Sequence, residues 1–386
     1  MFGTILISLC TFMHVYVFWR AASIPFVEQH ISRRIFIGTG LTLWTIFFLG
    51  RIIGHSSTGI LAGVLEFLGM NWMAVLFLTF LLLLLIDLIT FFGILMPRLS
   101  ASLRGFAVLI GMMLSVIALF QGLRPPMVEK YEVTLPGLPA ALDGTVIVAL
   151  SDMHLGSQLG KIWLADRIAQ VQEQKPDLVL LLGDIFEGHG PPEDQLIAPF
   201  KQLSAPYGLW AVSGNHEFYG GSKMNLFEAA GFTLLNNTWA EVRPGLVLAG
   251  VEDLTTRSRN SQNNDPISQA LVGRPPGATI LLSHTPWQAE KAAGEGVGLM
   301  LSGHTHGGQI WPFGYLVQKR YPLLEGRYEV DGMTAIICRG TGTWGPRMRL
   351  WRPGQILRVT LRGQGVASLQ LLDANKTDCN CRFYLH

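Results

Sequence analysis

Four apolar stretches, at residues 2–19, 35–53, 72–95 and 105–123, constrain this chain more than any other feature of it. Each is close to the ~20 residues that a helix needs to cross the hydrocarbon core of a bilayer. In that core the backbone finds no water, so its N–H and C=O groups must bond to one another within the helix. The stretches fall in the first third of the 386 residues and hold the apolar excess behind a hydrophobic share of 49%. Residues 1–123 are therefore expected to form an all-α anchor of about four transmembrane helices. The third stretch contains Leu81 to Leu85 unbroken and then Asp87. An acid at that depth is costly in lipid, and a packing role near the interface is weighed against a functional one. Residues 59–68 are too short to span and read as interfacial or as an extension of the third helix. The first stretch lacks the basic start and small-residue cleavage site of a signal peptide, so it is expected to be retained.

Arg20, Arg33 and Arg34 follow the first stretch, and Arg98 and Arg104 follow the third, whereas Arg51 is the one arginine of the intervening loop. By the positive-inside rule both arginine-rich loops are cytoplasmic, which puts the N-terminus and everything after residue 123 on the other side. Pro125, Pro126, Pro136 and Pro139 then stop the helix and favour extended chain, so residues 124–139 read as a linker. Residues 140–362 have the mixed polarity of a globular domain, and 363–386 read as a tail. A net charge of +2 with no basic run gives no reason to expect nucleic acid as a partner. The four cysteines are too scattered for a disulfide framework. Cys379 and Cys381, near the terminus, are read as incidental ahead of metal binding or pairing.

Short apolar runs at residues 146–150, 178–182, 209–212, 246–248, 279–282 and 299–301 have the Val, Ile and Leu content of strands buried on both faces. Helix candidates at 162–174, 193–203 and 225–230 separate the earlier ones, which gives a layered α/β domain. Five of these runs lead straight into polar turns: Asp152 and His154; Gly183-Asp184; Gly214-Asn215-His216-Glu217; Ser283-His284; and Gly303-His304-Thr305-His306. Ligands in open α/β sheets gather beyond the carboxyl ends of strands, so these turns can meet in one crevice. Any one of them is an ordinary turn. Together they hold five of the ten histidines. Carboxylate, imidazole and amide ligands without thiolate suit Mn, Fe or Zn.

In that order the motifs Asp-x-His, Gly-Asp, Gly-Asn-His-Glu, His and Gly-His-x-His resemble those of the calcineurin-like metallophosphoesterases, over roughly residues 130–362. The extension Gly303-His304-Thr305-His306-Gly307-Gly308-Gln309 is similar to the branch of bacterial membrane-associated phosphodiesterases and lipid-precursor pyrophosphohydrolases. Gly354-Gln355-Ile356 stands where that branch suggests Pro-Glu-Ile, outside the metal motifs. The resemblance implies a four-layer α/β/β/α fold and two divalent metal ions. It implies one metal on Asp152, His154 and His306, the other on Asn215, His284 and His304, and Asp184 between them. A metal-bridging hydroxide would attack phosphorus, with His216 as the catalytic group that protonates the leaving oxygen or stabilises the transition state. The expected substrate is a phosphodiester or pyrophosphate, as a phosphorylated small molecule or a lipid. The expected location is the bacterial inner membrane with the site outside. A general phosphomonoesterase and a non-catalytic metal-binding membrane protein remain alternatives. Glu217 is read either as orienting His216 or as capping the next turn. Asp253 is read as a turn acid ahead of a supporting role. Arg257, Arg259, Arg347 and Arg349 are weighed as phosphate contacts against solvated surface.

Overall fold

The computed structural model describes residues 2–54, 59–187, 193–219, 224–258 and 265–364; Arg259, Cys379 and Cys381 lie outside them. The chain opens with α1 (Phe2–Ala21), α2 (Pro25–His30), α3 (Arg33–Leu49), α4 (Ile60–Ile89) and α5 (Pro97–Leu123). Four of the five are long and apolar enough to cross a membrane, with α3 prolonged by a π turn to Gly54. Residues 60–68 extend the third of these four helices. The apolar residues after Ile89 are a turn, and α5 starts at Pro97, whose missing N–H and fixed φ suit a first helical position.

Asp87 of α4 is wholly buried. Arg104 of α5 gives it two hydrogen bonds, at 2.8 and 3.1 Å, Arg20 of α1 lies 2.5 Å away, and the Tyr16 hydroxyl donates to it at 2.5 Å. The acid thus ties three helices together, which is the packing reading of the sequence.

Twelve strands follow among the described residues. In chain order they are β1 (Met127–Thr134), β2 (Val146–Leu150), β3 (Leu178–Leu182), β4 (Leu209–Val212), β5 (Thr233–Leu234), β6 (Thr238–Arg243), β7 (Leu246–Gly250), β8 (Ala278–Leu282), β9 (Leu299–Ser302), β10 (Gly326–Val330), β11 (Met333–Ile337) and β12 (Gln355–Arg362). They form two six-stranded sheets, ordered β1-β12-β2-β3-β4-β5 and β10-β11-β9-β8-β7-β6. The run of four prolines flanks β1, an edge strand paired in parallel with β12. Half of the segment read as linker is therefore part of the first sheet.

Between the strands lie α6 (Lys161–Gln172), α7 (Glu193–Ile197), α8 (Met224–Ala229), α9 (Leu254–Ser258), α10 (Pro266–Leu271), α11 (Ala289–Gly294) and α12 (Gly314–Arg320). The period-2 alternation of side chains sorts each strand between two cores. Leu178, Leu180 and Leu182 of β3 meet Ile280 and Leu282 of β8 between the sheets. Val179 and Leu181 face outward onto Leu164 and Ile168 of α6 and Phe227 of α8. On the far side Leu281 and Met300 pack on Ile267, Ala270 and Ala292. The result is four layers, α/β/β/α.

The helical region is packed against this body. Ala74 and Leu78 of α4 and Ala118 of α5 share a core with Ile310, Met348 and Leu350. The Arg349 N–H donates to the Ala118 carbonyl at 2.8 Å, and the Trp351 N–H to the Gln121 side chain at 2.8 Å. Gly122 makes the approach possible, because a Cβ there would stand 2.3 Å from the Arg347 carbonyl oxygen.

Candidate metal centre

β2 and β3 keep exchanging backbone hydrogen bonds beyond their ends: Asp152 N to Gly183 O at 3.0 Å, His154 N to Asp184 O at 3.0 Å, and Leu155 N to Ile185 O at 2.8 Å. To continue that ladder while turning side chains inward, the chain adopts left-handed backbone at Asp152, His154 and Asp184, with φ of 52°, 49° and 52°. His304 and His306, after β9, do the same at 71° and 52°. Non-glycine residues held there cost about 1–3 kcal/mol each, and such strain gathers at functional sites. The two sheets present these turns to one another: β2, β3 and β4 of the first sheet deliver Asp152, His154, Asp184 and Asn215. β8 and β9 of the second deliver His284, His304 and His306.

The side chains converge as groups of three, two of which are made of the predicted ligands alone while the third joins His154 to Glu187 and His216. Asp152, His154 and His306 form one and Asp184, His284 and His304 the other, each with ligand atoms within 4.8 Å of one another. In the first, His154 Nε2 lies 3.1 Å from His306 Nε2, and His306 Nε2 lies 3.3 Å from Asp152 Oδ1. In the second, His284 Nε2 lies 3.1 Å from Asp184 Oδ2 and 3.2 Å from His304 Nδ1. His284 Nδ1 donates to the Leu182 carbonyl at 2.7 Å, which fixes the tautomer and leaves Nε2 with a lone pair. That lone pair then faces a carboxylate and another ring nitrogen. Asn215 precedes His216, whose N–H donates to Asp184 Oδ1 at 2.8 Å; its own Oδ1 is buried and without a hydrogen-bond partner, while its Nδ2 donates to Tyr219 Oη at 3.1 Å. Converging electron pairs and an orphaned buried oxygen fit cation ligation, and the donor set matches the intermediate divalent metals.

The charges say the same. Burial alone would raise the Asp184 carboxyl, but His284 and His216 overcome it and hold Asp184 well below the usual range. Burial opposes a charge on His284, yet Asp184 raises it well above the ordinary imidazole value. His304, buried and beside His284, is lowered to about 4.

His216 is outside both groups. Burial works against its protonation, but the Asp184 and Glu187 carboxylates outweigh it and raise the ring to about 9. Its Nδ1 approaches Glu187 Oε2 at 2.9 Å, off the line of the ring N–H, as an ion pair. The same Oε2 is 2.5 Å from His154 Nδ1. The sequence reading missed Glu187; its signal was a second acid three residues beyond Asp184, where the extended ladder carries it back beside His154.

Glu217 resolves toward the turn. Its carboxylate accepts the N–H groups of Asp184, Ile185, Phe186 and Gly214 at 2.6–3.0 Å, stitching the β3 turn to the β4 turn. Gly214 is needed there, since a Cβ would fall 2.2 Å from Asp184 Oδ1. Asp253 caps the start of α9 through Thr256 N and also receives Thr285 Oγ1 at 2.6 Å, next to His284. The Arg349 guanidinium donates to the carbonyls of Arg339, Gly340, Gly342 and Arg352, so it is a buried brace and neither surface nor phosphate contact. Arg347 is also largely buried, donating to the Gln158 carbonyl at 2.7 Å. Tyr321 Oη sits 2.8 Å from His304 Nε2, a contact between β9 and the end of α12 that spacing could not reveal.

The family model for calcineurin-like phosphoesterases matches residues 145–308. A Helicobacter pylori protein named as an uncharacterized metallophosphoesterase is 32% identical over 276 residues, covering 69% of this chain and 73% of that one. The chain belongs to the calcineurin-like metallophosphoesterase family. A second uncharacterized metallophosphoesterase, from Aquifex aeolicus, is 34% identical over 247 residues, or 62% of this chain and 92% of the relative. A Danio rerio protein named as a transmembrane protein with metallophosphoesterase domain is 32% identical over 270 residues, or 66% of this chain. The chain covers 62% of that protein's length. The metallophosphoesterase match runs from the start of β2 past His306, and so takes in every converging side chain named above.

Proposed function

We propose that this chain is a membrane-anchored two-metal hydrolase of phosphodiester or pyrophosphate bonds, acting on a lipid-linked substrate. The observation that carries the reading is the meeting of His284 Nε2, His304 Nδ1 and Asp184 Oδ2. Asp152, His154 and His306 hold one divalent cation, Asn215, His284 and His304 the other, and Asp184 serves both; Mn, Fe or Zn suits these ligands. Such a pair supplies Lewis acidity at the phosphoryl oxygens and an activated water.

The remaining chemistry belongs to the chain. His216 enters neutral solution protonated, and with Nδ1 turned to Glu187 its Nε2 is left to give a proton to the leaving oxygen. Glu187 holds His154 and His216 in fixed relation. Residues 1–123 serve as the anchor, 140–362 as the hydrolase unit and 363–386 as the tail, with the 124–139 linker carrying β1. The arginine distribution supports an extracytoplasmic site, and the Helicobacter and Aquifex relatives support a bacterial inner membrane. Packing of α4 and α5 beside the site supports a lipid-linked substrate.

The test incubates the purified protein and its Asn215→Ala variant with lipid and phosphometabolite pools and compares them by mass spectrometry. A lipid-linked phosphoester consumed only by the unaltered protein is the expected result. Consumption of soluble monoesters alone, in a parallel panel of mono-aryl and bis-aryl phosphates with Mn, would replace the reading with a phosphomonoesterase.

A further inference from the structure

Arg124 ends the 19-residue uncharged stretch of α5 beside the α/β body. Ala118, whose carbonyl receives the Arg349 N–H, lies about 9 Å back along the helix from it. Antiparallel α4 is aligned by Thr79, whose Cα would stand 3.0 Å from a Cβ on Gly111. This places Phe77 opposite residue 113, about 16 Å back from Arg124. The Phe313 ring packs edge-on against Phe77 at 6.0 Å between centroids. The α/β body thus reaches down the helices and does not merely rest on their ends.

The surface it carries to that depth is suited to lipid. Trp311, Phe313, Tyr315, Leu316 and Trp351 are all exposed, from 39% to 65%. The Trp311 and Trp351 rings meet at 5.1 Å with their planes tilted by 59°, and Trp351 is bonded to Gln121 of α5, beside the exposed Phe120 and Leu123. Residues 310–321 contain no Asp or Glu. On α12, Lys319 and Arg320 stand one turn beyond Tyr315 and Leu316, farther from Phe313. Aromatic rings at the boundary with basic ends above them are the pattern of an interfacial segment.

We propose that residues 310–316 and Trp351 are immersed in the outer boundary of the bilayer that α1, α3, α4 and α5 cross. The catalytic body is then itself a membrane-surface element. The inference rests on the spanning role given to these helices above, and on no assumption about turnover. The immersed segment runs on through α12 to Tyr321, whose Oη meets His304, and the loop that ends at Trp351 carries Trp344, whose ring lies 6.2 Å from His216. Both walls of the metal centre are therefore rooted at headgroup depth, where a phosphoester on a lipid would present itself.

The test places single nitroxide labels on the full chain in phosphatidylcholine/phosphatidylglycerol nanodiscs, at Leu316→Cys, Val116→Cys and Val272→Cys. Cys10 and Cys338 are buried, and Cys379 and Cys381 are changed to serine. Val116 is exposed on α5, and Val272 is exposed just before β8, at the strand ends away from the metal centre. Power saturation should find Leu316, like Val116, reached by oxygen and shielded from a soluble nickel chelate, with Val272 open to the chelate. A Leu316 label as open as Val272 overturns the immersion while leaving the spanning helices intact. A Val116 label open to the chelate defeats the spanning reading as well. A Leu316 label shielded from both reagents points to a protein partner and overturns the proposal. As a check on the fold without labels, brominated lipid should quench tryptophan emission less in Trp311→Phe/Trp351→Phe than in the unaltered protein.

Discussion

Glu187 Oε2 lies 2.9 Å from His216 Nδ1 and 2.5 Å from His154 Nδ1, so one carboxylate oxygen serves rings from two different strand ends. With the Asp184 charge it keeps His216 protonated up to about 9. A group that acts as an acid is effective below its pKa, so turnover should fall on the alkaline side as His216 loses its proton. Glu187→Gln removes one of the raising charges. The alkaline limb of the pH–rate profile should then move to lower pH, and an unmoved limb would detach Glu187 from this role.

His216→Ala should lower turnover by about 10²–10⁴, the usual range for a positioned proton donor. Metal content, read by inductively coupled plasma mass spectrometry, should stay at the unaltered level. Loss of metal would make His216 a ligand.

Metal removal should be visible in stability. A cation bound only by the folded state adds about 4 kcal/mol at a thousandfold excess over its Kd. Thermal scans with Mn before and after chelation should therefore separate, and His284→Ala should narrow the gap. Asp184→Asn, which alters the ligand shared by both groups, should narrow it further.

Glu217→Ala strips the acceptor from four buried N–H groups. Each unsatisfied buried group costs about 1–3 kcal/mol, so a loss of at least about 3 kcal/mol is expected in chemical denaturation. Glu217→Gln keeps an acceptor oxygen and should lose less.

Asp87→Ala leaves Arg20 and Arg104 buried without their acid. Breaking a buried ion pair from one side costs about 3–5 kcal/mol, and the expected readout is a lower melting temperature in detergent. Asp87→Asn, which still accepts hydrogen bonds, should fall between.

How far the sequence revealed the fold follows from how local each signal is. Strands such as Leu178–Leu182 are legible because burial on both faces forces a continuous apolar run. Helix spans are legible from length and apolarity, though their ends are not: residues 90–95 are as apolar as the helix before them, yet Phe91, Phe92 and Gly93 turn through positive φ. β1 was hidden because its pairing partner, β12, lies more than 220 residues away and its own pattern is that of a half-exposed edge. At the metal centre the strand-end motifs announced the converging side chains. Glu187 and Tyr321 were silent, since a lone acid and a lone tyrosine acquire meaning only from the rings they touch. Arg349 was weighed between a phosphate contact and solvated surface and is neither: only the fold shows its guanidinium spent on backbone carbonyls.

The four hydrogen bonds of Glu217 have a further consequence. They join the Asp184 and Gly214 turns through groups that never contact the ligand atoms, so the frame of the centre stands whether or not a cation is present. Exchange of one ion for another then requires no refolding. Which metal the protein carries becomes a matter of supply and competition in its compartment, ordered by the intrinsic preferences of imidazole and carboxylate rather than by the history of the chain.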